Sequence, residues 1–158
     1  MIDIQLATLA GFFAGEGSIS ISGGKWPTLY AQLGNSELLW SKMLYDNFGG
    51  CLTVEGPTKK FPNAKYMFRW RTSGRKAVAF LEAIEPYLIG EKAEQLKVGL
   101  EFQQLKESEH STFRYSDSLL DKMQALQKLK KNLRSIAAET NRRDAAQWRC
   151  DSPVLSES

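Results

Sequence analysis

Apolar residues recur at helical spacing from Ile4 to about Ala14, and then the period of the pattern changes. "SISIS" at 18–22 alternates strictly, the two-residue repeat of a half-buried strand. "GGKWP" at 23–27 reads as a turn and "TLYAQLG" at 28–34 alternates again, so the two strands form a hairpin. Helical spacing returns in "SELLWSKMLYDNF" at 36–48, which Asn35 or Ser36 can cap and Gly49–Gly50 end. "CLTVE" at 51–55 predicts a third strand and "YMFRWRT" at 66–72 a fourth, joined by a long basic loop. A helix from about Arg75 to Ile84 stops at Pro86, which completes an αββαββα order. Further helices are expected from about Glu91 to Lys106 and from Ser116 to about Ala138, separated by a polar loop.

An α+β fold follows, with one domain over residues 1–150 and a flexible tail over 151–158. On a sheet backed by helices, side chains sort by parity. Ile19, Ile21, Leu29, Ala31, Leu33, Leu52 and Val54 are expected to face the helices. The other face then carries Ser18, Ser20, Ser22, Thr28, Tyr30, Gln32, Cys51, Thr53 and Glu55. In the fourth strand Arg69 and Arg71 are placed outward, against Phe68 and Trp70 inward. Hydroxyl, amide and guanidinium groups on one face are the groups that read base edges in a major groove. A solvated antiparallel face is polar too, so parity alone leaves both readings open.

Charge sharpens the picture. The net charge of the 158-residue chain is only +3, yet residues 59–76 hold seven Lys or Arg and no acid. Residues 121–149 hold eight basic side chains against three acidic ones. Two basic blocks in a chain of modest net charge suit a polyanionic partner, although a charge run can equally be a solvated face. No long apolar run suggests a membrane span, and no basic region precedes the N-terminal apolar stretch as in a signal peptide. Cys51 and Cys150 stand far apart, as free thiols in a reducing compartment do, and with one histidine, His110, a zinc site is not expected.

The short stretch "LAGFFAGEG" at 9–17 carries the candidate chemistry. Glu16 ends the first helix between two glycines, where a carboxylate meets unpaired carbonyls and the unfavourable end of the helix dipole. A cation is one way to compensate it. Ala10 and Ala14, like Gly11 and Gly15, have the small-xxx-small spacing that lets two helix backbones approach. Leu9, Phe12 and Phe13 would pack around such a contact or into the core. If the partner is the same helix of a second copy, the interface is isologous and brings two Glu16 carboxylates to one point.

"LAGFFAGEG" resembles the LAGLIDADG signature of homing endonucleases, matching at Leu9, Ala10, Gly11 and Gly17. "GSISIS", "NSELL" before "FGG", "YMFRWRTSGRKAVAFLEAIEPYL" and "EKAEQLKVGLEF" follow in the expected order, over roughly residues 6 to 135. The resemblance implies a saddle-shaped antiparallel sheet backed by helices, with extra C-terminal helices. It makes Glu16 the metal ligand, joined by the Gly15 carbonyl, with Mg²⁺ as cofactor (Mn²⁺ able to substitute) and no small-molecule cofactor. Asn35, or Gln32, would stand near the metal-bound water. A lysine after the "PYL" turn would sit near the scissile phosphate; strict counting gives Glu91, and its neighbour Lys92 is taken for the role. Ala14 stands where the signature has its first aspartate, which is not the principal ligand.

One motif and no internal repeat imply the homodimeric class, with Leu9, Ala10, Gly11, Phe13 and Ala14 at the dimer interface. Double-stranded DNA would lie against Ser20, Ser22, Lys25, Trp26, Tyr30, Gln32, Thr53, Lys59, Lys60, Arg69 and Arg71. The implied activity is cleavage of a long, partly palindromic site, leaving short 3′ overhangs. The implied setting is an organelle (chloroplast or mitochondrion) or a bacterial or phage-infected cytoplasm. Two rivals share the fold: an RNA-binding intron maturase, and a DNA-binding regulator without catalysis.

Overall fold

The computed structural model describes residues 3–24, 26–108 and 115–151, the side chains of residues 134 and 147–151 apart. Lys25, His110 and residues 152–158 of the expected tail therefore lie outside the described residues. Helix α1 (Asp3–Glu16) runs directly into β1 (Gly17–Ile21), which turns back as β2 (Leu29–Asn35). Then follow α2 (Leu38–Phe48), β3 (Cys51–Glu55), β4 (Met67–Ser73) and α3 (Gly74–Ile84). A 3₁₀ turn at Glu85–Tyr87 leads to α4 (Gly90–Ser108), and α5 (Asp117–Asp151) closes the described chain.

The strands form one antiparallel sheet in the order β1-β2-β4-β3. Gly17 lies opposite Leu33, and Leu33 opposite Trp70, so the motif end of α1 is aligned with the latter part of β2 and the middle of β4. One face is apolar: Ile19, Ile21, Leu29, Ala31, Leu33 and Trp70 are buried against helices. Phe80 of α3 gathers the aromatic core, with Phe13, Trp70 and Phe48 all edge-on to it at 4.9–5.1 Å between centroids. The buried Trp70 keeps its indole N–H satisfied by donating to the Gly49 carbonyl at 2.7 Å.

Three details differ from the expectations. Val54 is 57 % exposed and Leu52 only half-buried, because β3 is the outer strand and the helical layer does not extend fully over it. Neither Asn35 nor Ser36 caps α2; Asn35 ends β2 and its Oδ1 accepts the Glu37 N–H at 2.8 Å, while Glu37 is the capping position. The last helix continues to Asp151 rather than about Ala138, since no glycine or proline interrupts 117–151 and Ala, Gln and Arg favour helix there. Its near half packs on α4 through Leu119, Met123 and Leu126. Gln127 on the same helix donates to the Ile21 carbonyl at 2.9 Å, which ties α5 to the end of β1.

Candidate active site and nucleic-acid interface

The end of α1 is fixed by sterics. Leu9, Ala10 and Phe13 point into the core, and a Cβ at Gly17 would lie 2.2 Å from the Phe13 ring. Only glycine lets the chain pass from helix to strand over that ring. Gly15 and Glu16, on the other side, are exposed. The last turn of α1 contains no basic residue, and among the described residues Glu16 pairs with no cation. The carboxylate thus stands in solvent at the negative end of a helix dipole, without an ion-pair partner among the described residues.

Lys92, in the first turn of α4, reaches this point from the other end of the sequence. Its Nζ donates to the Gly17 carbonyl at 2.7 Å and lies 6.0 Å from the centre of the Phe13 ring. The ammonium is therefore held one residue from Glu16. Glu91, the position given by strict counting, accepts instead from the buried Gln95 amide. A cavity of about 550 Å³ adjoins the site, between Gly15 on one side and Lys92, Gln95 and Asn141 on the others. Asn141 was not anticipated there, because the last helix was expected to end at about Ala138; the unbroken run without glycine or proline was the available signal.

Asn35 and Gln32 are on the strand that pairs with β1. Gln32 faces Ser18 across the hairpin, and Asn35 lies two residues beyond the partner of Gly17, its side-chain oxygen occupied by the turn into α2. The polar sheet face is as expected for the arginines. Arg69 and Arg71 are exposed while Trp70 and Thr72 are buried. The two differ in their surroundings: Arg69 is paired with Glu55 at 2.7 Å, whereas Arg71 stacks over the Tyr30 ring at 3.9 Å. Thr53 donates to the Arg69 carbonyl at 3.4 Å, and Ser20 stands opposite Tyr30.

The hairpin tip is tied down. The Ser22 hydroxyl accepts from the Thr28 N–H at 2.9 Å, and Lys106 donates to the Pro27 carbonyl at 2.9 Å. Burial lowers the pKa of Lys106, against a smaller opposite effect of Glu107. Trp26 is half-exposed, edge-on to Tyr115 at 5.4 Å, and burial raises the pKa of that phenol. Lys59 and Lys60 are exposed in the loop between β3 and β4.

The expected interface residues require correction. Leu9, Ala10 and Phe13 have no exposed surface and belong to the chain's own core, because α1 turns that face to the sheet and α3. The outward stripe is instead Ile4, Thr8, Gly11 and Gly15, at the i, i+4, i+7, i+11 spacing of a helix-packing seam, with Ala14 half-buried beside it. At Gly11 and Gly15 an added Cβ would meet nothing within 4 Å.

The donor set suits a hard divalent cation: an exposed carboxylate at a helix end, where backbone carbonyls are further oxygen donors. Among the described residues no three acidic, histidine or cysteine side chains cluster to hold a metal within the single chain. Glu16 and the Gly15 carbonyl are thus at most part of a metal-ligand set. Among the described residues no helix is long and apolar enough to cross a membrane.

No family model matches the sequence, and no curated protein does either. Solved structures do match. The homing endonuclease I-CvuI, in complex with its target, is 19 % identical and superposes with a TM-score of 0.64 over 82 % of each chain. The archaeal intron-encoded homing endonuclease I-Vdi141I, complexed with DNA, is 13 % identical with a TM-score of 0.66, covering 83 % of this chain and 84 % of that one. The LAGLIDADG homing endonuclease I-GzeII, with its DNA target, is 14 % identical with a TM-score of 0.62 over 77 % of this chain but only 43 % of its own. The chain is an α+β protein with the LAGLIDADG homing endonuclease fold.

Proposed function

We propose that this protein is a site-specific double-strand DNA endonuclease acting as a homodimer. The observation that carries the reading is an exposed Glu16 without an ion pair among the described residues, next to a glycine whose carbonyl holds the Lys92 ammonium. A helix end that exposes a carboxylate and presents a fixed ammonium beside it suits a phosphodiester, whose oxygens need positive charge as the transition state forms. Glu16 and the Gly15 carbonyl are the residues that would hold Mg²⁺, or Mn²⁺ in its place. When bound, the ion would polarise the scissile phosphate and lower the pKa of a water.

The chain's own residues do the rest. Lys92 presents its ammonium charge to a phosphate oxygen, and Gln32 or Asn35 orients water near the end of β2. The sheet face supplies Ser20, Tyr30, Gln32, Thr53, Arg69 and Arg71 to base edges and phosphates, and Lys59 and Lys60 add charge at its rim. Ser22 and Trp26 contribute at the hairpin tip, with Lys25 as a further contact. The stripe of Ile4, Thr8, Gly11 and Gly15 supports a two-fold contact of α1 with a second copy. Such a contact brings two Glu16 groups together and doubles the site. The match to all but a fifth of I-CvuI, against less than half of I-GzeII, supports the reading of one chain as half of a symmetric enzyme. The exposed Cys51 thiol suits a reducing compartment.

The test is selection of cleaved molecules from a randomised duplex library with Mg²⁺, comparing wild type with Glu16→Gln. Cut ends converging on a partly palindromic site, and lost in the variant, are expected. Convergent binding without cutting by either protein would leave a regulator, and enrichment of neither would turn the assignment to RNA.

A further inference from the structure

Glu16 is not the only charge set against a helix dipole. Helix α3 begins Gly74-Arg75-Lys76, with no acid in its first turn, so two cations stand at the end where the dipole is already positive. Its capping residue, Ser73, makes no side-chain cap hydrogen bond, which leaves the first N–H groups of the helix without that partner. Just before it, Thr72 is 3 % exposed and its hydroxyl has no hydrogen-bond partner.

These residues border one cleft of about 520 Å³, together with Arg71 and Tyr30 of the sheet face, and no acidic side chain lines it. Gly50 forms another wall with φ +96°, and a Cβ there would lie 2.6 Å from the Arg71 carbonyl. Only glycine lets the start of β3 approach β4 so closely, and no side chain from that position fills the space. Among the described residues neither Arg71 nor Lys76 pairs with an acid; Arg75 meets Glu107 at 3.2 Å, with its side chain 86 % exposed. Lys76 without an acidic partner among the described residues, Arg75 at the rim, an uncapped helix start and an orphaned hydroxyl, around a cleft with no acidic residue in its lining, suit an anion.

We infer that this cleft clamps a backbone phosphate of the bound DNA, outside the scissile region. The inference rests on the endonuclease reading above and adds a site to it. Tyr30 lies three residues along β2 from the partner of Gly17, and the cleft spans β2 to β3. By strand rise and spacing it is roughly 15 Å from the end of α1. At the rise of a duplex strand, the phosphate held there is about four to five nucleotides from the one at Glu16. The cleft therefore anchors the duplex at the far end of the sheet and sets which bases fall under Arg71 and Gln32. Its contribution is to register and affinity rather than to bond breaking.

The test uses the full chain and its selected duplex, measuring affinity against salt for wild type, Lys76→Gln, Lys76→Arg and the double variant Arg75→Gln/Lys76→Gln. Lys76→Gln should reduce the slope of log K against log salt by about 0.9, and the double variant by about twice that. Lys76→Arg should restore it. A neutral methylphosphonate at the fourth or fifth linkage should cost wild type the same slope and the Lys76→Gln variant nothing further. Slopes unchanged in both variants would overturn the inference while leaving the endonuclease reading intact. Displacement of the effect by millimolar inorganic phosphate would assign the cleft to a free phosphate and overturn it too. Failure of wild type to bind any duplex would instead overturn the endonuclease reading, and this clamp with it.

Discussion

Lys92 and Gly17 are 75 residues apart in the chain, and a 2.7 Å hydrogen bond from the lysine ammonium to the glycine carbonyl joins them. The bond closes the junction of α1 and β1 with the first turn of α4, and it fixes a positive charge beside Glu16. Replacement by methionine keeps the length of the side chain and removes the donor. Lys92→Met is expected to lower single-turnover cleavage by about 10²-fold or more, the usual effect of removing one transition-state donor. The lost main-chain contact should cost about 1 kcal/mol of stability. Affinity for the uncut duplex should change little. If affinity and cleavage fell by the same factor, the lysine would be a structural tie alone.

Glu16 gives a prediction that does not depend on activity. A carboxylate at a helix C-terminus opposes the dipole, so Glu16→Gln should leave stability unchanged or raise it by up to about 0.5 kcal/mol without metal. A cation bound by that carboxylate stabilises the folded state by mass action. Millimolar Mg²⁺ should therefore raise the melting temperature of wild type more than that of the variant, measured with and without duplex. Equal shifts in the two proteins would remove Glu16 from the metal site.

Much of this was legible in the sequence, for a physical reason. Period-two alternation in "SISIS" and "TLYAQLG" fixes which side chains face the core, and the inward placement of Trp70 fixes Arg69 and Arg71 outward by parity. Glu16 announces itself because local electrostatics are violated there. What stayed hidden depends on position in the assembled sheet. Val54 obeys the strand pattern, yet β3 is the outer strand and the residue is exposed. Leu9, Ala10 and Phe13 sit in the motif with Gly11 and Gly15, and only the packing of α1 shows that the two sets face opposite ways. The length of α5 could be read from its unbroken run without glycine or proline, but its approach to the motif end depends on how it packs on α4.

The motif glycine next to the acid has a measurable steric role. Gly17→Ala would set a methyl group against the Phe13 ring, itself packed edge-on to Phe80 in the core. Neither ring can leave without opening the core, so the substitution should cost about 1–3 kcal/mol, the usual range for overpacking. Denaturant unfolding of the free protein measures it. A variant as stable as wild type would mean that the chain bends elsewhere to admit the methyl.

The two arginines of β4 should behave differently in binding. Arg71 is held over the Tyr30 ring and has no acidic partner among the described residues, so its guanidinium is available to a base. Arg69 must first release Glu55, at 2.7 Å. Arg71→Ala should cost about 1–3 kcal/mol of binding and relax selection at one base pair in each half-site. Arg69→Ala should cost less, and Glu55→Gln should strengthen binding while broadening selection. Selection profiles of the three variants on a randomised library decide it.

The outward stripe of α1 separates a role in assembly from a role in folding. At Gly11 and Gly15 an added Cβ meets no atom of the chain within 4 Å, so a larger side chain there starts into open space. A leucine also favours helix over glycine by somewhat under 1 kcal/mol. Gly11→Leu should therefore unfold no earlier than wild type at concentrations where both are monomeric. If α1 packs against α1 of a second copy at the small-residue spacing, the same leucine separates the two backbones. Sedimentation should then show a dimer for wild type and a monomer for the variant, with cleavage of both strands lost. A variant that stays dimeric and cuts would place the contact between copies elsewhere, and the paired Glu16 site with it.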